Sequence, residues 1–305
     1  MPLAINKPAY FKKIQMMVIL LMVAIIVGLP EMYAQDLPVL ELSAYKRIDK
    51  PAREEVSGII KSRRYENVYW VHGDSGTPDR IYAINRDGEI VAEGKDYKGT
   101  KVKGAKNKDW EDIALGEDGT LILSDLGNNC ECRDDLKIII LSEPAPDDKS
   151  VDVIHEFYIE YPQRTDLIGK FLDIGYNSEG IFQKDGVIYV LSKQPGITRL
   201  FKLEDPQEDS VNTLTFVESM KTESLVTAAD ISKDGSLLAI LLYDQIIIAD
   251  ISEGSFFGGR KWSAYLKGTE QIEAVTFDSD STLIITEENG DLYEIQLSDL
   301  KPISD

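Results

Sequence analysis

Cysteine and histidine are almost missing from these 305 residues, with two of each. Two thiols, Cys130 and Cys132, with no clustered partners leave no zinc site of the usual kind. A serine-protease triad is also excluded. The stretch His72-Gly73-Asp74-Ser75-Gly76 looks like a nucleophile segment, but a triad needs a separate base and an orienting acid. The other histidine, His155, falls in a predicted outer strand. Basic residues are scarce as well: 33 Lys and Arg stand against 53 Asp and Glu, a net charge of −20. Nucleic acid, which needs basic patches, is therefore not an expected partner. No Pro- or Ser-rich linker or low-complexity tract divides the chain, and helical patterning is nearly absent after Pro30.

One long apolar run is present, residues 16–29, preceded by Lys7, Lys12 and Lys13 and ended by Pro30. It is shorter than the roughly 20 residues of a membrane span. We expect residues 1–34 to be a secretory signal ending at Ala34. The alternative is an uncleaved anchor through residues 14–29, because Met32 is large for the −3 position. Either way residues 35–305 form a single extracytoplasmic domain, secreted, periplasmic or membrane-anchored. Losing 1–34 deepens the charge to −22, since that segment carries three lysines and one glutamate. Such acidity favours solubility. In an oxidising compartment Cys130 and Cys132 are expected to pair as a local loop staple, and so small a loop would be strained and reducible.

A repeat organises what remains. Segments at Val56-Ser57-Gly58-Ile59, Trp110-Glu111-Asp112-Ile113, Ser178-Glu179-Gly180-Ile181, Ala228-Ala229-Asp230-Ile231 and Ile272-Glu273-Ala274-Val275 each precede a turn and an apolar strand. Second strands are predicted at 68–72, 121–125, 187–193, 237–243 and 282–287. Third strands are predicted at 80–85, 136–141, 198–203, 245–251 and 291–297. Fourth strands fit 89–93, 153–161, 214–219 and 261–266. The fifth repeat lacks a fourth strand, and the alternating segment 39–45 is expected to supply it and close the ring. The fold class is all-β: a β-propeller of five four-stranded blades. A six-bladed ring is the alternative, because residues 163–176 have room for hidden strands.

In such a ring, first-strand starts and second-strand ends share one face. That face gathers Ser57, Glu111, Asp112, Glu179, Asp230 and Glu273 with His72, Asp74, Asp125, Lys193, Tyr243, Asp244 and Glu287. Converging carboxylates repel unless a cation lies between them. Oxygen-only donors select calcium or magnesium, so Ser57, Glu111, Glu179 and Glu273 are the expected calcium ligands. The competing reading has the glutamates bonded to neighbouring strand N–H groups. Asp74-Ser75-Gly76-Thr77-Pro78 and Asp125-Leu126-Gly127-Asn128-Asn129 read as tight turns, with Arg133 able to pair with Asp125.

The pairs Ser57-Gly58 and Glu179-Gly180, the segment Asp109-Trp110-Glu111-Asp112, and Asp125 with Gly127-Asn128-Asn129 and Arg133 resemble secreted bacterial propellers described as SdiA-regulated-like and phytase-like or esterase-like. The resemblance covers about residues 55–300. The order Ser, Glu, Glu, small residue, Glu also looks like the axial calcium site of the calcium-activated nucleotidase propellers. There Ala229 departs from the expected serine, and the nucleotide-binding basic residues have no match.

Two functional expectations follow. One is a calcium-binding propeller that binds a small-molecule, glycan or protein ligand at the acidic channel mouth, with His72, Trp110, Arg133, Tyr243 and Glu287 as ligand contacts. The alternative is a metal-dependent phosphoesterase in which Asp74 or Asp125 is the base and Lys193 or Arg133 contacts the anion. A glycosidase using two carboxylates is a further variant.

Overall fold

The computed structural model describes residues 37–92, 97–164 and 176–303. The expected leader or anchor lies outside these residues. Apart from a single 3-10 turn at Leu297–Asp299, every regular element described is a strand or a bridge. The reason is visible in runs such as Ile138 to Leu141 and Ile246 to Ile248, whose residues are buried on both faces of their strands. β-Branched residues suit a strand sandwiched between two other layers.

Among the described residues the strands form five antiparallel meanders of four. Blade one is Val56–Lys61, Tyr69–Gly73, Arg80–Ile84 and Thr100–Lys103. Blade two is Asp112–Leu115, Thr120–Asp125, Lys137–Ser142 and Ser150–Glu160. Blade three is Ser178–Lys184, Val187–Ser192, Ile197–Leu203 and Thr215–Lys221. Blade four is Val226–Ile231, Leu237–Leu242, Gln245–Asp250 and Lys261–Lys267. Blade five is Ile272–Ser279, Thr282–Glu287 and Asp291–Gln296, completed by Lys46–Arg47 from the N-terminal side. The five first strands pack in sequence, one on two, two on three, three on four, four on five and five on one. This is a β-propeller. Among the described residues no sixth first strand interrupts the ring; residues 165–175, where one was entertained, lie outside them.

Two expectations about the outer strands need correction. The closing strand is Lys46–Arg47, whereas Val39–Glu41 runs parallel to Tyr265-Leu266-Lys267 on the outside of blade four. Alternation marks a half-buried strand but does not say which edge it joins. The fourth strand of blade one is Thr100–Lys103. Of the predicted 89–93, Ile90 makes only an isolated bridge to Ile84, because Asn85 and Gly88 form a tight turn just before it. Outer edges are also joined between blades. Lys101-Val102-Lys103 of blade one pairs in parallel with Ser150-Val151-Asp152 of blade two. Asn212–Thr213 pairs in parallel with Ile159-Glu160. Such pairing covers edges that would otherwise be open to other chains.

The core lies between blades. Trp70, Ile81 and Ile60 of blade one pack with Ile113, Leu121 and Leu123 of blade two. Ile122 and Ile138 of blade two pack with Ile181, Val190 and Phe201 of blade three. Each fully buried aliphatic or aromatic side chain contributes about 1.5–3 kcal/mol, so this inter-blade packing holds the ring.

Candidate functional site at the channel mouth

The repeated marker is a β-bulge. Pairing between first and second strands slips at Ser57, Glu179, Thr227 and Glu273, each left between two paired neighbours. In blade two the N–H groups of both Glu111 and Asp112 reach Ser124, one to its carbonyl and one to its hydroxyl. A bulge inserts one residue and re-aims its side chain, which turns these positions toward the channel mouth. The fourth marker is therefore Thr227 and not Ala229. Ala229 sits two residues further in, paired with Ile240 and packed against Gly180.

Four of these five marker residues, Ser57, Glu111, Glu179 and Glu273, and residues just past second strands line a cavity of about 280 Å³, whereas Thr227 is not in its wall. Ser57, Asp74, Glu111, Glu179, Lys193, Tyr243 and Glu273, all singled out from the sequence, are in its wall. Asn129, Gln271 and Glu288 join them. Five lining carboxylates face one lysine, so the cavity has a strong preference for positive charge.

The carboxylates separate into two groups. Glu179 accepts an ion-paired hydrogen bond from the Lys193 ammonium at 2.9 Å, and the same ammonium lies 5.1 Å from the Tyr243 ring centroid. Neighbouring Glu179 and Glu273 hold the Lys193 pKa above its ordinary value despite burial, which pulls the other way. Glu273 is pushed up to about 7, first by burial and then by the charges of Glu179 and Glu288, with Lys193 opposing. Lys193 thus supplies the positive charge that convergence demands on this side.

On the other side, carboxylate oxygens of Asp74, Asp109 and Glu111 lie within 4.8 Å of one another. Burial raises Asp74 to about 6, its hydrogen bond from the Ser75 N–H opposes, and the charges of Asp109 and Glu179 add to the rise. Glu111 is pushed well above the ordinary carboxylate range by burial, then by Glu179 and Asp74. Asp109 is the member that sequence reasoning missed. It is two residues from Glu111 in a segment already marked by resemblance, in the bend that precedes the strand starting at Asp112. Asn107 fixes this segment: its amide donates to the Gly73 carbonyl (2.9 Å) and the Asp74 carbonyl (3.0 Å), while its oxygen accepts from the Trp110 N–H (3.0 Å). Gly127 lies against the cluster so closely that a Cβ there would stand 2.2 Å from Glu111 Oε1. Ser57 donates its hydroxyl to the Glu111 carbonyl oxygen at 2.6 Å, tying blade one to blade two.

The remaining sequence candidates are not in the cavity wall. His72 is fully buried, with Nδ1 3.2 Å from the Gly73 carbonyl and its ring edge-on to Trp110. Burial lowers its pKa to about 4, so it is neutral. Trp110 is core. Glu287 is buried and accepts from Tyr293 Oη (2.7 Å), the Glu270 N–H (2.7 Å) and Asn289 (2.7 Å). Asp125 is buried beneath the 126–133 loop, accepting from Arg133 at 3.0 Å and from the Asp109 N–H at 3.1 Å. Arg133 is spent on Asp125, Asp135 and the Gly127 carbonyl. The Asp125–Arg133 pairing anticipated from the turn is present, and it anchors the loop away from the ligand space.

That loop carries the expected staple: Cys130 and Cys132 are disulfide-bonded. Asn128 Oδ1 accepts from the Cys132 and Arg133 N–H groups at 2.8 and 2.9 Å. Asn177 then connects the loop to the cavity, donating to Asn129 Oδ1 (3.1 Å) and Glu179 Oε1 (3.2 Å).

Deeper in the channel, two aspartates behave differently. Asp112 Oδ1 accepts from its own Ile113 N–H (2.8 Å), and Oδ2 accepts from Ile181 (3.0 Å) and Ala229 (3.3 Å) of the next two blades. Asp230 Oδ2 accepts from Phe277 N–H (2.8 Å) and Thr276 Oγ1 (3.0 Å) of blade five. The backbone-bonded arrangement considered for the glutamates is realised by these aspartates.

No family model matches the chain, and no curated protein matches it in sequence. Among solved structures it is similar to the PQQ-bound form of aldose sugar dehydrogenase from Streptomyces coelicolor. That likeness has 9% identity and a TM-score of 0.48 over 84% of this chain and 97% of that one. It is also similar to a chain of the nidogen/laminin complex, with 16% identity and a TM-score of 0.43 over 83% of this chain and 80% of that one.

Proposed function

We propose that this propeller binds a divalent cation, calcium by donor chemistry, at Asp74, Asp109 and Glu111, and uses the occupied mouth to bind a small ligand or a glycan or protein segment. The observation that carries this reading is the convergence of three carboxylates within 4.8 Å, with no ammonium ion-paired to any of them among the described residues. Hard oxygen donors of this kind suit calcium. Lys193 already serves Glu179 and Glu273, so the cation belongs beside Glu111 and not at the centre of the three glutamates. With Thr227 as the fourth marker, the axial order is Ser, Glu, Glu, Thr, Glu. A hydroxyl then stands where the calcium-activated nucleotidase pattern has serine. Membership of the SdiA-regulated-like and phytase-like group is the family reading that goes with it.

The role is binding. Asp125 is committed to Arg133, Lys193 to Glu179, and Asp74 to the cation cluster, which leaves no free base and anion contact side by side. The disulfide supports an extracytoplasmic location, where such bonds persist. Calorimetry with calcium on residues 35–305 tests the reading. Binding should be saturable and weaken at least about tenfold in Asp109→Asn, since one of three charged donors is lost. No heat and no thermal shift with calcium would sink it.

The phosphoesterase alternative retains one favouring observation: the Asp74 carboxyl, pushed up to about 6, stands in the cavity wall. A phosphate ester would meet five carboxylates and one lysine, so turnover would require the cation to be bound. Equal hydrolysis in excess EDTA would exclude that mechanism.

A further inference from the structure

The channel has a second cavity at its other end, of about 250 Å³. Its wall includes residues from the far ends of first strands: Ile60 of blade one, Leu115 of blade two, Ile231 of blade four and Phe277 of blade five. Ser57 in the mouth and Lys61 in this wall stand four residues apart along one strand, roughly 13 Å, and the two linings share no residue, so this site is distinct from the acidic mouth.

Its carboxylates are mostly spoken for. Both oxygens of Asp230 are taken up by the Ile231 and Phe277 N–H groups and the Thr276 hydroxyl. Asp278 is paired with Lys61 at 2.7 Å and Arg86 at 3.1 Å and also accepts from Tyr69. Asp280 is the remaining acid in the wall. Arg63 and Lys233, from the loops that follow the first strands of blades one and four, border both this cavity and a smaller one beside it. Neither forms a salt bridge among the described residues, though the Arg63 charge acts on the buried Asp230 carboxylate beside it. Two cations without a salt bridge among the described residues therefore border an apolar floor of Ile60, Leu115, Ile231 and Phe277, in a chain whose net charge is −20.

We propose that this end of the channel binds a small organic anion, its carboxylate or similar group held by Arg63 and Lys233 and its apolar body seated on the floor. Arginine offers a fork that matches a carboxylate, and lysine adds a point charge.

The probe is benzoate, with benzyl alcohol as the neutral counterpart, titrated into the protein by calorimetry and ligand-observed NMR. Benzoate should bind saturably. The double variant R63A/K233A should weaken it about tenfold or more, and benzyl alcohol should bind about tenfold more weakly than benzoate. Both side chains are exposed, so the variant should fold, and its thermal midpoint checks that. Asp109→Asn should leave benzoate binding unchanged, which separates this site from the acidic mouth. Absence of saturable benzoate binding overturns the proposal, as does equal affinity in R63A/K233A. Equal affinity for benzyl alcohol, or loss of benzoate binding in Asp109→Asn alone, does so too.

Discussion

Two sets of acids in one channel solve the same problem differently. Asp112 and Asp230 are buried and surrounded by backbone N–H groups from neighbouring blades. At the mouth, Asp74, Asp109 and Glu111 are surrounded largely by one another, and Glu179 by a lysine. Backbone donors are fixed by the fold, so the deeper set is a staple between blades. The outer set leaves its charge to be met by something mobile, which is what a binding site requires.

The sharpest way to break this comparison is Asp112→Ala. It strands three N–H donors, on blades two, three and four, in the interior of the channel. Each buried donor left unpaired costs about 1–3 kcal/mol, so a loss of about 3 kcal/mol or more is expected in denaturant unfolding. A loss under about 1 kcal/mol would mean that the aspartate is not a staple, since surface-like changes fall in that range.

Lys193→Met attacks the boundary between the sets. It removes the charge partner of a buried glutamate, and breaking one side of such a pair is strongly destabilising. About 2 kcal/mol is expected, since relaxation and some solvent access soften the loss. The variant should also bind calcium more tightly than wild type, because a competing positive charge has gone. Thermal denaturation with and without calcium reads both effects. Unchanged stability together with unchanged affinity would show that Lys193 is not the internal cation of this mouth.

The sequence carried the mouth well and the interior poorly, for identifiable reasons. Ser57, Glu111, Glu179 and Glu273 were legible because a bulged residue breaks the apolar alternation at the same point of each blade. Thr227 was not, since the hairpins differ in length and no fixed spacing from the second strand marks the bulge. Val226 pairs with Leu242, sixteen residues on, but Ser178 pairs with Ser192, fourteen on. Asp230-Ile231 then mimics Asp112-Ile113 and draws the register two residues inward. His72, Asp125 and Glu287 sit at predicted second-strand ends yet turn into the protein, because a strand's terminal side chain points to either face according to its parity. Asp109 was visible as a residue but not as a ligand: only the fold of the 107–111 segment, held by Asn107, brings it to Asp74. The closing strand depended on which blade edge is nearer, which no local pattern encodes.

The smallest effect, and the finest probe of the contrast, is the pH dependence of Glu273. Its folded pKa of about 7 exceeds its ordinary value of 4.5, with burial as the main cause. Between those values the native state holds a proton that the unfolded chain has released. Stability therefore falls as pH rises from about 4.5 to about 7 and levels off above, the reverse of a carboxylate held ionised by donors. On the order of 1 kcal/mol is expected over that window, well below the full shift because solvent and Lys193 moderate it. Glu273→Gln should flatten this segment of the profile while leaving the stability at acid pH nearly unchanged, as measured by unfolding midpoints between about pH 4.5 and about pH 8. Saturating calcium should not flatten it to the same degree, because the cation is assigned to Asp74, Asp109 and Glu111 on the other side of Lys193. A profile flattened equally by calcium and by Glu273→Gln would instead place the cation among the three glutamates.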